Sequence, residues 1–219
     1  MDTLNQWAEW MPEVTSGLTV SLTLTGLSLL FGMPLGLVLA LLVEGRSTFL
    51  KWTGLIVVEI GRGAPALVLL YLLYFGLPQV GVTLAAFSTA TFSLSWTTGA
   101  YASELFRAGL AAVPQGQREA AITSGLTGWT GFRHIIFPQS IRISTPPLAS
   151  LAITIFQTSS LAFVVAVPEL MSKAYSLGAI TFQYLSIFIL TALVYALITI
   201  AGLAVVRMIE QRMNRHLVY

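Results

Sequence analysis

From Val14 to Val43, between Glu13 and Glu44, the chain carries no charged side chain. A helix that crosses a bilayer needs roughly 20 consecutive apolar residues, and an uncharged run of this length has no place on the surface of a small soluble domain. The chain therefore reads as membrane-embedded, and its remaining charges act as fences between further crossings. Spans are expected at about 16–43, 52–75, 82–106, 146–167 and 184–206. Residues 1–219 then form one all-α membrane domain of about five transmembrane helices.

Proline and glycine punctuate this plan. Pro34 is expected to kink the first span, and Gly76 to Gly81, with Pro78, to form the turn after the second. The pair Pro146 and Pro147 is expected to open the fourth span, because the first turn of a helix has N–H groups without partners and tolerates proline. Glu169 and Lys173 are expected to close that span, with 176–183 as a loop. The segment 107–142 is polar and holds Arg118, Glu119, Arg133 and His134 among short helical signals, so it reads as a long aqueous loop.

Composition agrees with a bilayer setting: 56% of residues are apolar and 9% are charged, against about 25% charged in a soluble domain. Cysteine is absent, which removes disulfides, thiolate nucleophiles and cysteine metal sites from consideration. His134 and His216 are solitary, so a metal site is not expected. No basic run is long enough to follow a nucleic acid. The N-terminal residues lack the positive region and small-residue cleavage site of a secretory signal and are read as mature protein.

Orientation follows from the cations. With the N-terminus outside, the cytoplasmic segments hold Arg46, Lys51, Arg107, Arg118, Arg133, Arg142, Arg207, Arg212 and Arg215, nine of the eleven. Cytoplasmic flanks are enriched in Lys and Arg, so the N-terminus is expected outside and the C-terminus in the cytoplasm. Trp7, Trp10 and Trp52 stand where amphipathic rings favour the lipid headgroup layer.

Charges inside spans are costly to insert and are candidates for function. Glu59 and Arg62 lie three apart on the second span and can pair, and Glu104 falls at similar depth on the third. They read either as a structural brace or as a cytoplasmic gate. In the fourth span Ser150, Thr154, Gln157 and Thr158 recur at helical spacing, one polar stripe that should face the bundle interior or a cavity. Its hydroxyls either bond back to their own helix or line a pathway. With Pro147 opening the helix, Gln157 lies about 15 Å in, near the bilayer middle, and is read as pathway lining. Tyr101 either lines the same path or packs as core.

The polar segment carries a recognisable pattern: Glu119-Ala120-Ala121, Gly125 four residues after the Ala pair, and later Ile135-Ile136-Phe137-Pro138. It resembles the EAA loop of ABC importer permeases, a short helix that docks on an ATPase. The resemblance implies a coupling role for Glu119, Ala120, Ala121, Ser124, Gly125 and Pro138. There is physical sense in these residue types. On a helix Ala120, Ala121 and Ser124 should share one face and let another surface approach closely, while Gly125 can end the helix in a left-handed conformation. Glu119 also suits the positive end of the helix dipole.

Arg62-Gly63-Ala64-Pro65 is similar to the Arg-Gly-Thr-Pro element of polar amino acid permeases, with Ala64 in place of Thr. The runs from Gly99 to Gly109 and from Val113 to Gln117 are also similar to that subfamily. Where those permeases often carry Lys-Asp-Thr-Ser-Leu, this chain has Gln157-Thr158-Ser159-Ser160-Leu161, and both charges are missing. The resemblance implies the ABC type I importer permease fold and an amino acid or related small polar solute. It also implies two ATPase subunits that hold ATP and Mg2+, a second permease chain, a solute-binding protein outside, and surrounding membrane lipid. The chain has no Gly-x-x-x-x-Gly-Lys-Ser/Thr loop to cradle phosphates, so it is not expected to be an enzyme itself. An ion-driven secondary transporter is the alternative, but such proteins usually show inverted repeats and none is seen.

Overall fold

The computed structural model describes residues 3–45 and 47–214; Asp2, Arg46, Arg215 and His216 lie outside the described residues. Every regular element among the described residues is helical. Helices α1 (Thr3–Ser16) and α2 (Leu18–Glu44) follow one another through a turn at Gly17. After α3 (Thr48–Gly63) comes α4 (Ala66–Tyr71), prolonged by a π turn at Leu72–Gly76 and a 3-10 turn at Leu77–Val80. The chain continues through α5 (Ala86–Ala111), α6 (Gln115–Thr123) and α7 (Gly128–Gly131). A π turn at Phe132–Ile136 leads into α8 (Phe137–Thr158), which ends in 3-10 turns at Ser159–Val165. Helices α9 (Leu170–Thr181) and α10 (Tyr184–Asn214) complete the chain.

Three stretches are long and apolar enough to cross a membrane: Thr3–Glu44, Gly128–Val165 and Tyr184–Arg212. The bent pair Thr48–Gly63 and Ala66–Val80 makes a fourth when counted as one. Helix α5 has 26 residues, about 39 Å at 1.5 Å per residue, so it has the length of a crossing without the apolar composition. The reason is its function as the central helix, packed on α2, α3 and α8. Its hydroxyl residues Thr89, Ser93, Thr97, Thr98 and Ser103 are buried among neighbours rather than exposed to lipid.

Small residues bring α2 and α5 together, the most extensive helix contact in the molecule. Gly32 and Gly36 form a small-x-x-x-small pair on α2. A methyl group placed on Gly32 would stand 2.5 Å from the β carbon of Thr98, and one on Gly36 would stand 2.7 Å from the Gly99 carbonyl oxygen. Close backbone approach of this kind is the usual source of helix association where lipid removes the hydrophobic drive.

Several sequence-based bounds shift. Helix α1 begins at Thr3, well before the expected first span, and it packs on α9 and α10. Trp10 is buried there, and Trp7 Nε1 donates to Ser186 Oγ at 2.9 Å, so both rings pack against protein. Trp52 is exposed. The expected second span is broken by 104° at Gly63, Ala64 and Pro65. Proline has no N–H and forces the preceding residue out of helical geometry, and Ala64 is accordingly extended.

The expected loop 107–142 is mostly helix, since α5 runs on to Ala111 and α8 starts at Phe137. Pro138 occupies the first turn of α8, the position expected of Pro146 and Pro147, which instead lie inside it. Residues 176–183 likewise belong largely to α9 rather than to a loop. Gly81 ends the 3-10 turn before α5 at φ 85°, as the expected turn there requires.

Candidate functional site

A cavity of about 440 Å³ opens at the break between α3 and α4. Arg62 to Ala66 form one wall, Thr97 and Tyr101 of α5 a second, and Leu151, Thr154, Ile155 and Thr158 of α8 a third. A larger space of about 790 Å³ lies between α2, α3 and α5, lined mainly by Phe31, Phe87, Phe92, Trp96 and aliphatic groups, with no charged side chain. The smaller one gathers the chemistry. Broken helices with irregular backbone at membrane depth are tolerated where they border a cavity.

The hydroxyls of Thr154 and Thr158 donate to the carbonyls of Ser150 and Thr154, at 3.3 Å and 2.7 Å. They keep acceptor capacity toward the cavity. Thr97 is buried and its hydroxyl has no partner, whereas most other helix hydroxyls bond back in the way of Thr154. Tyr101 is 43% exposed, so it borders open space rather than core.

The charged trio of the sequence comes together. Arg62 Nη1 lies 3.4 Å from Glu104 and 3.9 Å from Glu59. Two residues that sequence reasoning left out extend the chain of charges: Arg107 binds Glu104 at 2.7 Å and Glu44 at 3.1 Å. The network thus joins the C-terminal ends of α2 and α3 to the C-terminal half of α5. Its signal in the sequence was the i,i+3 pair Glu104 and Arg107 on one helix face.

Gln157 parts company with the rest of its stripe. Its Nε2 donates to Thr199 Oγ1 at 3.2 Å, toward α10 and away from the cavity walls. Because α8 starts at Phe137, Gln157 also stands in its last turn rather than ten residues from its start.

The α6 segment is a discrete unit. Arg118 Nη2 donates to the Leu110 carbonyl at 2.7 Å, fixing α6 to the end of α5. Gly125 adopts φ 75°, and Leu126 N–H bonds back to the Ala121 carbonyl at 2.9 Å, a Schellman-type stop. Glu119, Ala120, Ser124, Gly125 and Pro138 are exposed. Ala121 is buried, so the expected shared face of Ala120, Ala121 and Ser124 is divided: Ala121 packs inward near Gly131, and its neighbours face out. A strict 3.6 period allows this, since adjacent residues are 100° apart. Ile122 and Trp129 are also exposed, and the Trp129 ring stacks on Phe132.

Glu169, expected only to close a span, is fully buried and caps α9. Its carboxylate accepts from Met171 N–H at 2.9 Å and Ser172 N–H at 2.7 Å, from Ser21 Oγ at 3.3 Å and from Tyr195 OH at 3.1 Å. Burial pushes its carboxyl above the usual range, and those hydrogen bonds oppose the rise. Among the described residues no cluster of His, Asp and Glu could hold a metal ion.

Residues 32–215 match the family of binding-protein-dependent transport system inner membrane components. The chain belongs to that family. It is 38% identical over 187 residues to a probable amino-acid ABC transporter permease protein, YckA of Bacillus subtilis, covering 85% of this chain and 83% of that one. It is 37% identical over 214 residues to the L-cystine transport system permease protein TcyB of the same organism, covering 97% and 91%. Among solved structures, an amino acid ABC transporter crystallised with histidines matches with a TM-score of 0.92 at 32% identity, covering 97% of this chain and 99% of that one. The MetNI methionine ABC transporter shares the fold, with a TM-score of 0.69 at 22% identity. This permease is therefore a multi-pass membrane component of an importer of the ABC type I fold, a transport subunit and not a catalytic one.

Proposed function

We propose that this permease forms half of an ATP-driven path that carries an amino acid or a related small polar solute across the inner membrane into the cytoplasm. One observation carries the reading: at a helix break in the membrane domain, Arg62, Tyr101, Thr154 and Thr158 converge on one cavity. Polar groups at such depth would be expensive against lipid and are affordable along a solute path. The relatives' names, amino-acid and L-cystine permeases, support the solute class.

The path needs a second permease chain, itself or a sister. Glu59 has a side chain 67% exposed on this single chain, and a carboxylate on a membrane helix belongs against water or a protein neighbour rather than acyl chains. Helix α6 presents Glu119, Ala120, Ser124 and Gly125 to an ATPase, with Ala121 and Pro138 holding the segment in place. Two such ATPase subunits would bind ATP and Mg2+, and a solute-binding protein would deliver cargo at the outer side. Glu59, Arg62 and Glu104 form the cytoplasmic gate, with Tyr101, Thr154 and Thr158 along the path. Gln157 stands beside it as a tie to α10. The N-terminus lies outside and the C-terminus in the cytoplasm, as the cation distribution requires.

The test is affinity capture of the tagged chain from mildly solubilised native membranes. Recovery of an ATPase with a phosphate-binding loop, lost in Glu119→Lys while membrane insertion persists, is expected. Recovery of the chain alone, active in ion-driven uptake, would overturn the reading.

A further inference from the structure

Helix α5 borders two spaces from opposite sides, and only one of them belongs to the path. Successive helical residues turn by 100°, so Thr97 and Tyr101, which line the cavity of about 440 Å³, stand opposite Ser88 and Ser95. Ser88, Thr91 and Ser95 form the floor of the space of about 790 Å³ between α2, α3 and α5. Small side chains there leave a groove, flanked by the large rings of Phe31 and Phe92, which are 57% and 55% exposed. Leu35, Val57 and Trp96 stand at its far end, where Trp96 Nε1 donates to the Val57 carbonyl at 3.1 Å. We propose that this groove is a resident lipid site that holds one acyl chain of a bilayer phospholipid.

Length, polarity and position each favour a lipid tail. From Phe87 to Trp96 the groove follows α5 for about 14 Å at 1.5 Å per residue, against about 15 Å for one leaflet, half of a hydrocarbon core of about 30 Å. Its near end is the first turn of α5, where Ser88 is exposed, so a tail entering there and lying along the helix would finish at Trp96. No charged side chain lines the groove, which suits hydrocarbon and gives water few partners. A void between packed helices forfeits dispersion contacts that a tail restores. Position decides against a second copy of this chain as the occupant. Resting on the path proposed above, the partner permease covers the Thr97 and Tyr101 side of α5, and the groove faces the other way, toward lipid.

The experiment purifies the full-length chain from native membranes in mild detergent and follows bound lipid by native mass spectrometry through successive detergent washes. One phospholipid per chain is expected to survive washes that strip the rest. Thr91→Phe fills the floor and Ser88→Phe, at an exposed position, blocks the near end; each should lower the retained lipid roughly tenfold. Thr23→Phe, on an exposed part of α2 away from the groove, should leave it unchanged. In vesicles of phosphatidylcholine brominated near the end of its tails, quenching of tryptophan fluorescence should fall in Ser88→Phe and not in Thr23→Phe, because Trp96 meets the end of the tail. Loss of all lipid from the unaltered chain overturns the proposal, as do equal retention and equal quenching in Ser88→Phe, or a retained molecule that is not a phospholipid. None of these readouts involves an ATPase or a solute, so the importer reading stands or falls separately.

Discussion

The hydroxyl of Tyr195 on α10 donates to the buried carboxylate of Glu169 across 3.1 Å, joining α10 to the start of α9. Ser21 of α2 reaches the same oxygen and also accepts from Leu170 N–H at 3.1 Å. Glu169→Ala would remove a helix cap worth about 1 kcal/mol and leave the half-buried Tyr195 hydroxyl short of its acceptor, about 1–3 kcal/mol, while Ser21 Oγ keeps the Gly17 carbonyl at 3.4 Å. The melting temperature of the purified chain, followed by tryptophan fluorescence, is expected to fall by roughly 10 °C, taking about 2–4 °C per kcal/mol at this chain length. A change within error would show that water replaces the carboxylate without loss.

The same carboxyl predicts a pH dependence. Its folded-state pKa is raised by burial, so the folded chain holds this proton more tightly than the unfolded one. Its contribution is complete below the unfolded pKa and is lost as pH rises through the folded pKa. Melting temperature should therefore decline as pH climbs from the ordinary carboxylate range, and Glu169→Gln should flatten that part of the curve. A curve of unchanged slope in the variant would assign the dependence to another group.

Gly36→Val tests the α2–α5 seam. A side chain there meets Ala102 and the Gly99 carbonyl at under 3 Å, and overpacking of this kind costs about 1–3 kcal/mol. Gly26, on the same helix, has open space around it, and Gly26→Ala should stabilise by about 0.5–1 kcal/mol. Opposite shifts in melting temperature are expected, and shifts of the same sign would refute the seam.

Glu104→Gln separates gate from brace. All members of the network are at least 29% exposed, so breaking these pairs should cost about 1 kcal/mol or less. Solute uptake by cells carrying the assembled importer is expected to fall several-fold while the melting temperature moves little. Matched losses of both would mark the trio as a brace.

For Gln157 the structure argues for a small effect. Gln157→Leu removes one interhelical hydrogen bond, about 0.5–1 kcal/mol, and should leave uptake within about twofold, whereas Thr158→Leu on the cavity wall should depress it well beyond that. Equal effects in uptake assays would return Gln157 to the path.

The membrane class and the α6 segment were legible because charge spacing and glycine punctuation are local signals, whereas the five expected spans become three apolar stretches and a bent fourth, since α5 buries hydroxyls where a span would carry apolar groups. What was hidden is instructive. The Gly63–Pro65 break was in plain view as a proline preceded by two small residues, yet hydropathy averages across such a break and reads one span. Pro146 and Pro147 misled in the opposite direction, since a proline pair looks like a helix start until Pro138 is seen to fill that place. The place of Gln157 along its helix, ten residues from the start, inherited that error. Glu169 looked like a fence because its hydrogen-bond partners, Ser21 and Tyr195, are distant in sequence. The inward turn of Ala121 depends on Gly131 folding back over α6, which no local pattern encodes.

The 38 residues from Gly128 to Val165 form one helical rod. Near its middle, Ser144 Oγ donates to the Leu105 carbonyl at 3.1 Å, where Gly109 gives the rod close purchase on α5. About 24 Å of rod lies on the Gly128 side of that contact and about 21 Å on the side of Thr158. Were the rod to turn there as a stiff beam, a push at the exposed Trp129 turn would move the Thr154 and Thr158 wall by a similar distance in the opposite direction, a gain close to one with the sign reversed.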